Sequence, residues 1–124
     1  MYKDTNDTGV LLVNLGTPDS TKTSDVRKYL KEFLMDPYVV NAPYFIRMLI
    51  VYGFILPTRP KKSAEAYSRI WTDEGSPLLV GSTKLCRALQ AELKMTVELA
   101  MRYGNPSISD GLHRMKRNGI KHVL

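Results

Sequence analysis

Apolar side chains change their spacing several times along this chain, and each change marks an element. Val10 to Val13 is an unbroken apolar run after Gly9. Such a run suits a strand covered on both faces, as in a parallel sheet. Asn14-Leu15-Gly16-Thr17-Pro18 then predicts a turn, and Thr17 to Thr23 a polar loop. Between Asp25 and Met35 the apolar positions Val26, Tyr29, Leu30, Phe33 and Leu34 recur at spacings of three and four. That is an amphipathic helix, with Thr23 or Ser24 as its cap and Asp36-Pro37 as its stop.

Tyr38 to Leu56 is the most apolar stretch, broken by Arg47 and Gly53. It is too short and too interrupted to span a bilayer, which needs about 20 apolar residues. A basic turn follows between Pro57 and Pro60. A short helix is predicted over Ser63 to Trp71, with Ala64 and Tyr67 facing inward, and then a loop at Thr72 to Pro77. Leu85, Leu89 and Leu93 form one stripe of a helix over Ser82 to Lys94. Thr96 to Arg102 predicts a second strand, and Tyr103 to Pro106 a turn. A helix over Ser107 to Asn118 is closed by Gly119, and a third strand begins at Ile120 or Lys121.

Strands separated by helices argue for an α/β fold with parallel pairing and right-handed crossovers. No domain boundary is placed inside residues 1–124. The apolar run that ends at Leu124 without a turn predicts the amino-terminal part of a longer protein.

Charge narrows the partners. The formal net charge is +6, which favours acidic partners such as anionic lipid or a carboxylated small molecule. The cations are scattered and accompany neither zinc-ligand spacing nor an RNA-binding aromatic signature, so nucleic acid is not expected. Cys86 is the one cysteine, which excludes an internal disulfide framework and fits a reducing compartment. Met1 to Thr8 is polar and of mixed charge, so no secretory leader is expected there.

In open parallel sheets ligands bind beyond the carboxyl ends of the strands. The first turn lacks the Lys-Ser or Lys-Thr pair of a Walker loop and has one glycine, Gly16, where a dinucleotide fingerprint has three. Nucleotide binding is therefore disfavoured. Leu15 at the strand tip is either core or a wall for a flat apolar ligand. Arg102, at the tip of the second strand, must be matched in a dry site. Either Asp19 or Glu74 pairs with it, or it receives an anion. His113 and His122 have no partner at metal-ligand spacing, and no metal site is expected.

"LLVNLGTP", "PKKSAEAYSRIW" followed by "GSPLL", and "VELAMRYGNPSI" occur in this order. Together they resemble the amino-terminal half of ferrochelatase, over nearly the whole chain from Gly9 to Leu124. The resemblance implies a chelatase-like fold: a Rossmann-like, three-layer parallel sheet with flanking helices, in the first domain of a two-domain enzyme. It implies insertion of ferrous iron, a substrate, into protoporphyrin IX to form protohaem. It also implies a peripheral cytoplasmic protein at the inner membrane face.

By the same resemblance Leu15, Arg59, Tyr67 and Ser76 contact the porphyrin, and Arg102 is the active-site arginine at the metal-entry side. Leucine has no donor atom, so Leu15 cannot ligate iron. The family's later metal-site histidine and glutamate match no position here, so the chain alone is expected to be inactive and to bind no cofactor. Phe33 to Leu56 matches the lip that rests on the membrane in some relatives, which favours protoporphyrin over the more soluble coproporphyrin. The alternatives are a purely membrane-binding module and another tetrapyrrole metal chelatase.

Overall fold

A computed structural model describes residues 6–124. The polar start of the chain, Met1 to Thr5, lies outside the described residues. Five helices and three strands follow in the order β1 (Thr8–Thr17), α1 (Thr23–Leu34), α2 (Tyr44–Met48), α3 (Arg59–Ile70), α4 (Pro77–Leu93), β2 (Thr96–Gly104), α5 (Ile108–Arg117) and β3 (His122–Val123). Between α2 and α3 the chain continues as a π-helical segment, Leu49–Ile55. Two compact units result. The first holds residues 6–16 and 78–124, and the second holds residues 17–77.

The first unit is a three-layer sandwich around a parallel sheet of order β2-β1-β3. Thr8 pairs with His122 and Gly9 with Val123. On one face α5 lies so close that a Cβ on Gly111 would stand 2.9 Å from Leu11 Cδ1 and 3.4 Å from the Ala100 Cβ. A Cβ on Gly9 would meet Met115 Cε at 2.6 Å. Glycines on the helix and on the strand thus let the two layers meet. On the other face, Asn14 Nδ2 donates to Ser82 Oγ of α4 at 3.0 Å. Val97, Ala100, Met101, Tyr103, Met115 and Ile120 form the buried core. Burying each methionine side chain contributes roughly 1.5–3 kcal/mol.

β2 is one of the two edge strands among the described residues, and two of its outward amides are already occupied. Val97 N–H donates to Gln90 Oε1 at 3.2 Å, and Met101 N–H donates to the Pro106 carbonyl at 2.6 Å. Those bonds blunt an edge that would otherwise invite another strand.

In the second unit α1 packs on α3. Val26 and Tyr29 of α1, Ala64 of α3, and Val51 and Leu56 are buried. Tyr29 stacks on Phe33 one turn later, with ring centres 6.0 Å apart. Val51 and Leu56 are five residues apart, and the Leu56 amide donates to the Val51 carbonyl at 2.8 Å. With α-helical spacing the next inward position after Val51 would fall at Phe54 or Ile55. The wider π turn moves it to Leu56 and leaves Phe54 77% exposed.

Several sequence expectations are corrected. Asn14 to Thr17 is strand rather than turn, because β1 runs on to Thr17. Neither Thr23 nor Ser24 caps α1. Lys22 holds the cap position without a side-chain bond, while Ser20 Oγ meets Asp25 Oδ2 at 2.5 Å and accepts the Lys22 amide at 3.1 Å. The α3 helix begins at Arg59, because Pro60 suits a first turn whose amides need no partner. The leucine stripe of α4 is not its buried face. Ser82 and Cys86 are buried, and Leu85 and Leu93 are exposed. The last helix opens at Ile108, with Ser107 as cap accepting the Asp110 amide at 3.1 Å.

Gly16 has φ +130°, and a Cβ there would collide with the backbone carbonyl of Tyr103. Gly81, within α4, has open space around it. Gly16→Ala is expected to lower stability by more than about 2 kcal/mol, whereas Gly81→Ala raises it by about 0.5–1 kcal/mol. Urea unfolding of the two variants, followed by circular dichroism, reads the contrast; equal effects would contradict the close strand approach.

Candidate functional site

The face of the sheet that carries α5 is covered only in part, and helix geometry says why. Gly111 sits over Leu11 and Ala100. From Gly111 back to Ser107, α5 climbs about 6 Å at 1.5 Å per residue. From Leu11 to Leu15 the strand climbs about 13 Å at 3.3 Å per residue. The helix therefore stops short of the strand tip. Alternation puts Val13 and Leu15 on the same face as Leu11, and they are 47% and 51% exposed.

Arg102 leaves the neighbouring strand on that face too. Glu98 and Ala100 share its parity, and both meet α5: Glu98 Oε2 accepts from Arg114 Nε at 3.1 Å, and Ala100 lies under Gly111. Arg114 Nη2 also donates to the Leu99 carbonyl at 3.2 Å, which fixes the helix against β2. Arg102 is exposed, and its guanidinium carbon lies 4.8 Å from the centre of the Tyr103 ring. The dry setting anticipated for Arg102 is therefore corrected: its side chain is exposed at the edge of the sheet. The first unit thus presents an apolar half-face, Val13 and Leu15, next to a cation.

The second unit holds the other three residues singled out in the sequence. Arg59 opens α3 and is exposed. Tyr67 stands eight residues later on the same helix, about 12 Å along the axis. It is half-buried, with its ring edge-on to Trp71 at 6.2 Å between centres. Burial pushes the Tyr67 phenol above the usual tyrosine range, so it remains a proton donor through neutral pH. Ser76 is buried just before α4. The loop ahead of it is tied by Thr72, whose hydroxyl donates to the Gly75 carbonyl at 2.8 Å. Leu15 and Arg102 are thus brought onto one face of the first unit, while Arg59, Tyr67 and Ser76 belong to the second.

Two features escaped the sequence. Val13 read as interior strand, yet it extends the open apolar face, and only the shortness of α5 reveals it. Thr17 is buried with an Oγ1 that has no hydrogen-bond partner, although it shares the parity of exposed Val13 and Leu15. Cys86 is buried, and burial first, then the charge of Glu98, pushes its thiol up, so it is a poor nucleophile. Among the described residues no group of three His, Cys, Asp or Glu side chains is placed to hold a metal ion, and no helix is long and apolar enough to cross a membrane. His113 and His122 are both exposed.

Comparison with known proteins adds a second line. The family model described as Ferrochelatase matches residues 7–124. The chain is 53% identical over 118 residues to the ferrochelatase of Pseudomonas savastanoi pv. phaseolicola, covering 94% of this chain and 34% of that protein. It is 52% identical over 118 residues to the ferrochelatase of Azotobacter vinelandii, covering 94% and 35%. It is 47% identical over 122 residues to that of Idiomarina loihiensis, covering 94% and 34%. The chain therefore spans about a third of the length of the curated relatives it matches.

The raised Tyr67 phenol has a direct test. In an alkaline ultraviolet titration, the component lost in Tyr67→Phe should titrate above the ordinary tyrosine range. If the lost component titrates with exposed tyrosines, the burial assigned to Tyr67 is wrong.

Proposed function

The chain belongs to the ferrochelatase family, and from that premise we propose that it forms porphyrin-binding walls of an enzyme that inserts ferrous iron into protoporphyrin IX. The observation that carries this reading is the open half-face beyond α5, where exposed Val13 and Leu15 adjoin Arg102. A porphyrin is a flat apolar disc with carboxylates at its edge. Apolar side chains that already stand in water gain by covering such a disc, at about 25 cal/mol per Å² removed from solvent. Guanidinium groups suit the carboxylates, because their fork matches two oxygens at once.

The residues divide the work. Leu15 and Val13 supply a wall that neither donates protons nor binds metal. Arg102 stands at the same tip as a fixed positive charge on the side from which the metal enters. Arg59 offers an exposed cation to a propionate. Tyr67 keeps its proton through neutral pH and so can donate a hydrogen bond to a carboxylate. Ser76 lies against the macrocycle or its substituents. Metal insertion requires that the pyrrole N–H protons leave, and a ring held bent against a rigid wall exposes a nitrogen lone pair sooner than a flat one. The base that takes those protons is not among these residues. The family's metal-site histidine and glutamate have no counterpart in the chain, so alone it should bind porphyrin without inserting iron.

The stretch from Phe33 to Leu56 supports docking at the cytoplasmic face of a membrane. Tyr44, Phe45, Ile46, Leu49, Tyr52 and Phe54 are all exposed, and clustered exposed apolar side chains suit an interaction surface. Arg59, Lys61 and Lys62 follow it, placed to meet anionic headgroups. Delivery from the bilayer suits a poorly soluble porphyrin.

In the full-length protein, addition of the protein should quench protoporphyrin fluorescence, and Arg59→Ala should weaken binding about tenfold. Arg102→Ala should slow iron insertion more than it weakens porphyrin binding. A wild-type protein that leaves porphyrin fluorescence unchanged would sink the reading.

A further inference from the structure

Arg47 is the buried cation of the chain's most apolar stretch. It is 8% exposed and lies on α2. Its Nη1 donates to the Ala42 carbonyl at 2.8 Å, and its guanidinium carbon stands 5.6 Å from the centre of the Tyr44 ring. Its Nε is shut off from solvent and has no acceptor. The sequence explains the shortage: no acidic residue occurs between Asp36 and Glu65, while Arg47, Arg59, Lys61 and Lys62 fall in that interval.

A guanidinium cannot relieve its burial by losing a proton. One carbonyl and one aromatic face offset only part of the hydration it has given up. An oxyanion would supply both the missing charge and the missing acceptors. The surroundings say what kind of oxyanion. Tyr44 and Phe45 next to it are 63% and 65% exposed. An apolar hollow of about 420 Å³, lined by Met48, Leu49, Tyr52 and Gly53, opens on the following turn. A free inorganic anion has no use for these surfaces, whereas an amphiphile with an acidic head uses both.

The geometry points to Arg47 as the receptor for the phosphodiester of an anionic phospholipid, whose acyl region rests on the exposed Tyr44 and Phe45 rings next to it. The Tyr44 ring beside the guanidinium is itself 63% exposed, so Arg47 lies next to a solvent-facing side chain. This inference rests on the membrane-docking reading and deepens it. Attraction to Lys61 and Lys62 is diffuse and screened by salt, while Arg47 makes a one-to-one headgroup site.

The test uses the full-length protein with arginine labelled by ¹⁵N. Short-chain phosphatidylglycerol should shift the Arg47 Nε resonance to saturation, and short-chain phosphatidylcholine should not. In co-sedimentation, Arg47→Lys should weaken binding to phosphatidylglycerol vesicles about tenfold, because an ammonium cannot replace the fork. Lys61→Gln with Lys62→Gln should cost less, and that loss should fade as salt rises. The wild-type resonance reads the site even if Arg47→Lys folds poorly. An unmoved resonance, or vesicle binding unaffected by Arg47→Lys, overturns the headgroup site while leaving membrane docking intact. Inorganic phosphate shifting Arg47 as far as the lipid does overturns the assignment to lipid. Failure of the wild-type protein to bind any vesicle removes the docking reading and this site together.

Discussion

Seating α5 on the sheet at Gly111 is the constraint from which the first unit follows. The helix comes down onto Leu11 and Ala100 at a distance that leaves no room for a side chain between the layers. That contact fixes where a ten-residue helix covers the strands. Its rise per residue is less than half that of a strand, so cover laid from this point runs out before the strand does. The amino half of the face becomes core, with Met115 packed over Gly9. The carboxyl half becomes surface, with Val13, Leu15 and Arg102 on it. A longer helix, or a bulky residue at position 111, would have changed which residues the solvent sees.

The same logic explains what was legible in the sequence. Strand runs and helix periods depend on near neighbours, so β1, α1, β2 and α5 could be read from spacing alone. Gly119 as a stop likewise follows from local backbone chemistry. The end of β1 could not be read that way. Asn14-Leu15-Gly16-Thr17-Pro18 has the composition of a turn, yet it stays extended because Gly16 lets β1 close against the Tyr103 carbonyl. The buried face of α4 was also hidden. Ser82 and Cys86 are buried, with Asn14 bonded to Ser82, so a polar contact decides the orientation over the leucines at 85 and 93. Leu15 and Arg102 were read as strand-tip residues from the chain order. Their common face required the register between two strands and a helix.

Residues 37–64 show a different kind of limit. Hydrophobicity identified the stretch, but not which side chains it would turn outward. The π-helical turn decides that, by moving the inward position from Phe54 to Leu56. An exposed aromatic ring in water is an unfavourable choice for a soluble surface, and here several occur together with no acidic residue among them. A buried guanidinium whose Nε has no acceptor and apolar groups that lack cover describe the same deficit. Both would be relieved by the membrane surface proposed above, in which hydrocarbon lies below and phosphate above.

Arg47 brings that deficit into the fold itself. Exposed lysines can do without a partner because water solvates them, so their placement alone says little about a ligand. A guanidinium held in the interior by α2, with one nitrogen facing no acceptor, is a cost the folded chain carries permanently. Its local contacts do not cancel that cost, since the Ala42 carbonyl takes a single N–H and the Tyr44 ring takes only the charge. Replacing it with an apolar residue would be the simpler way to fill the space. The residue that is present makes sense where the missing oxygen atoms arrive from outside the chain.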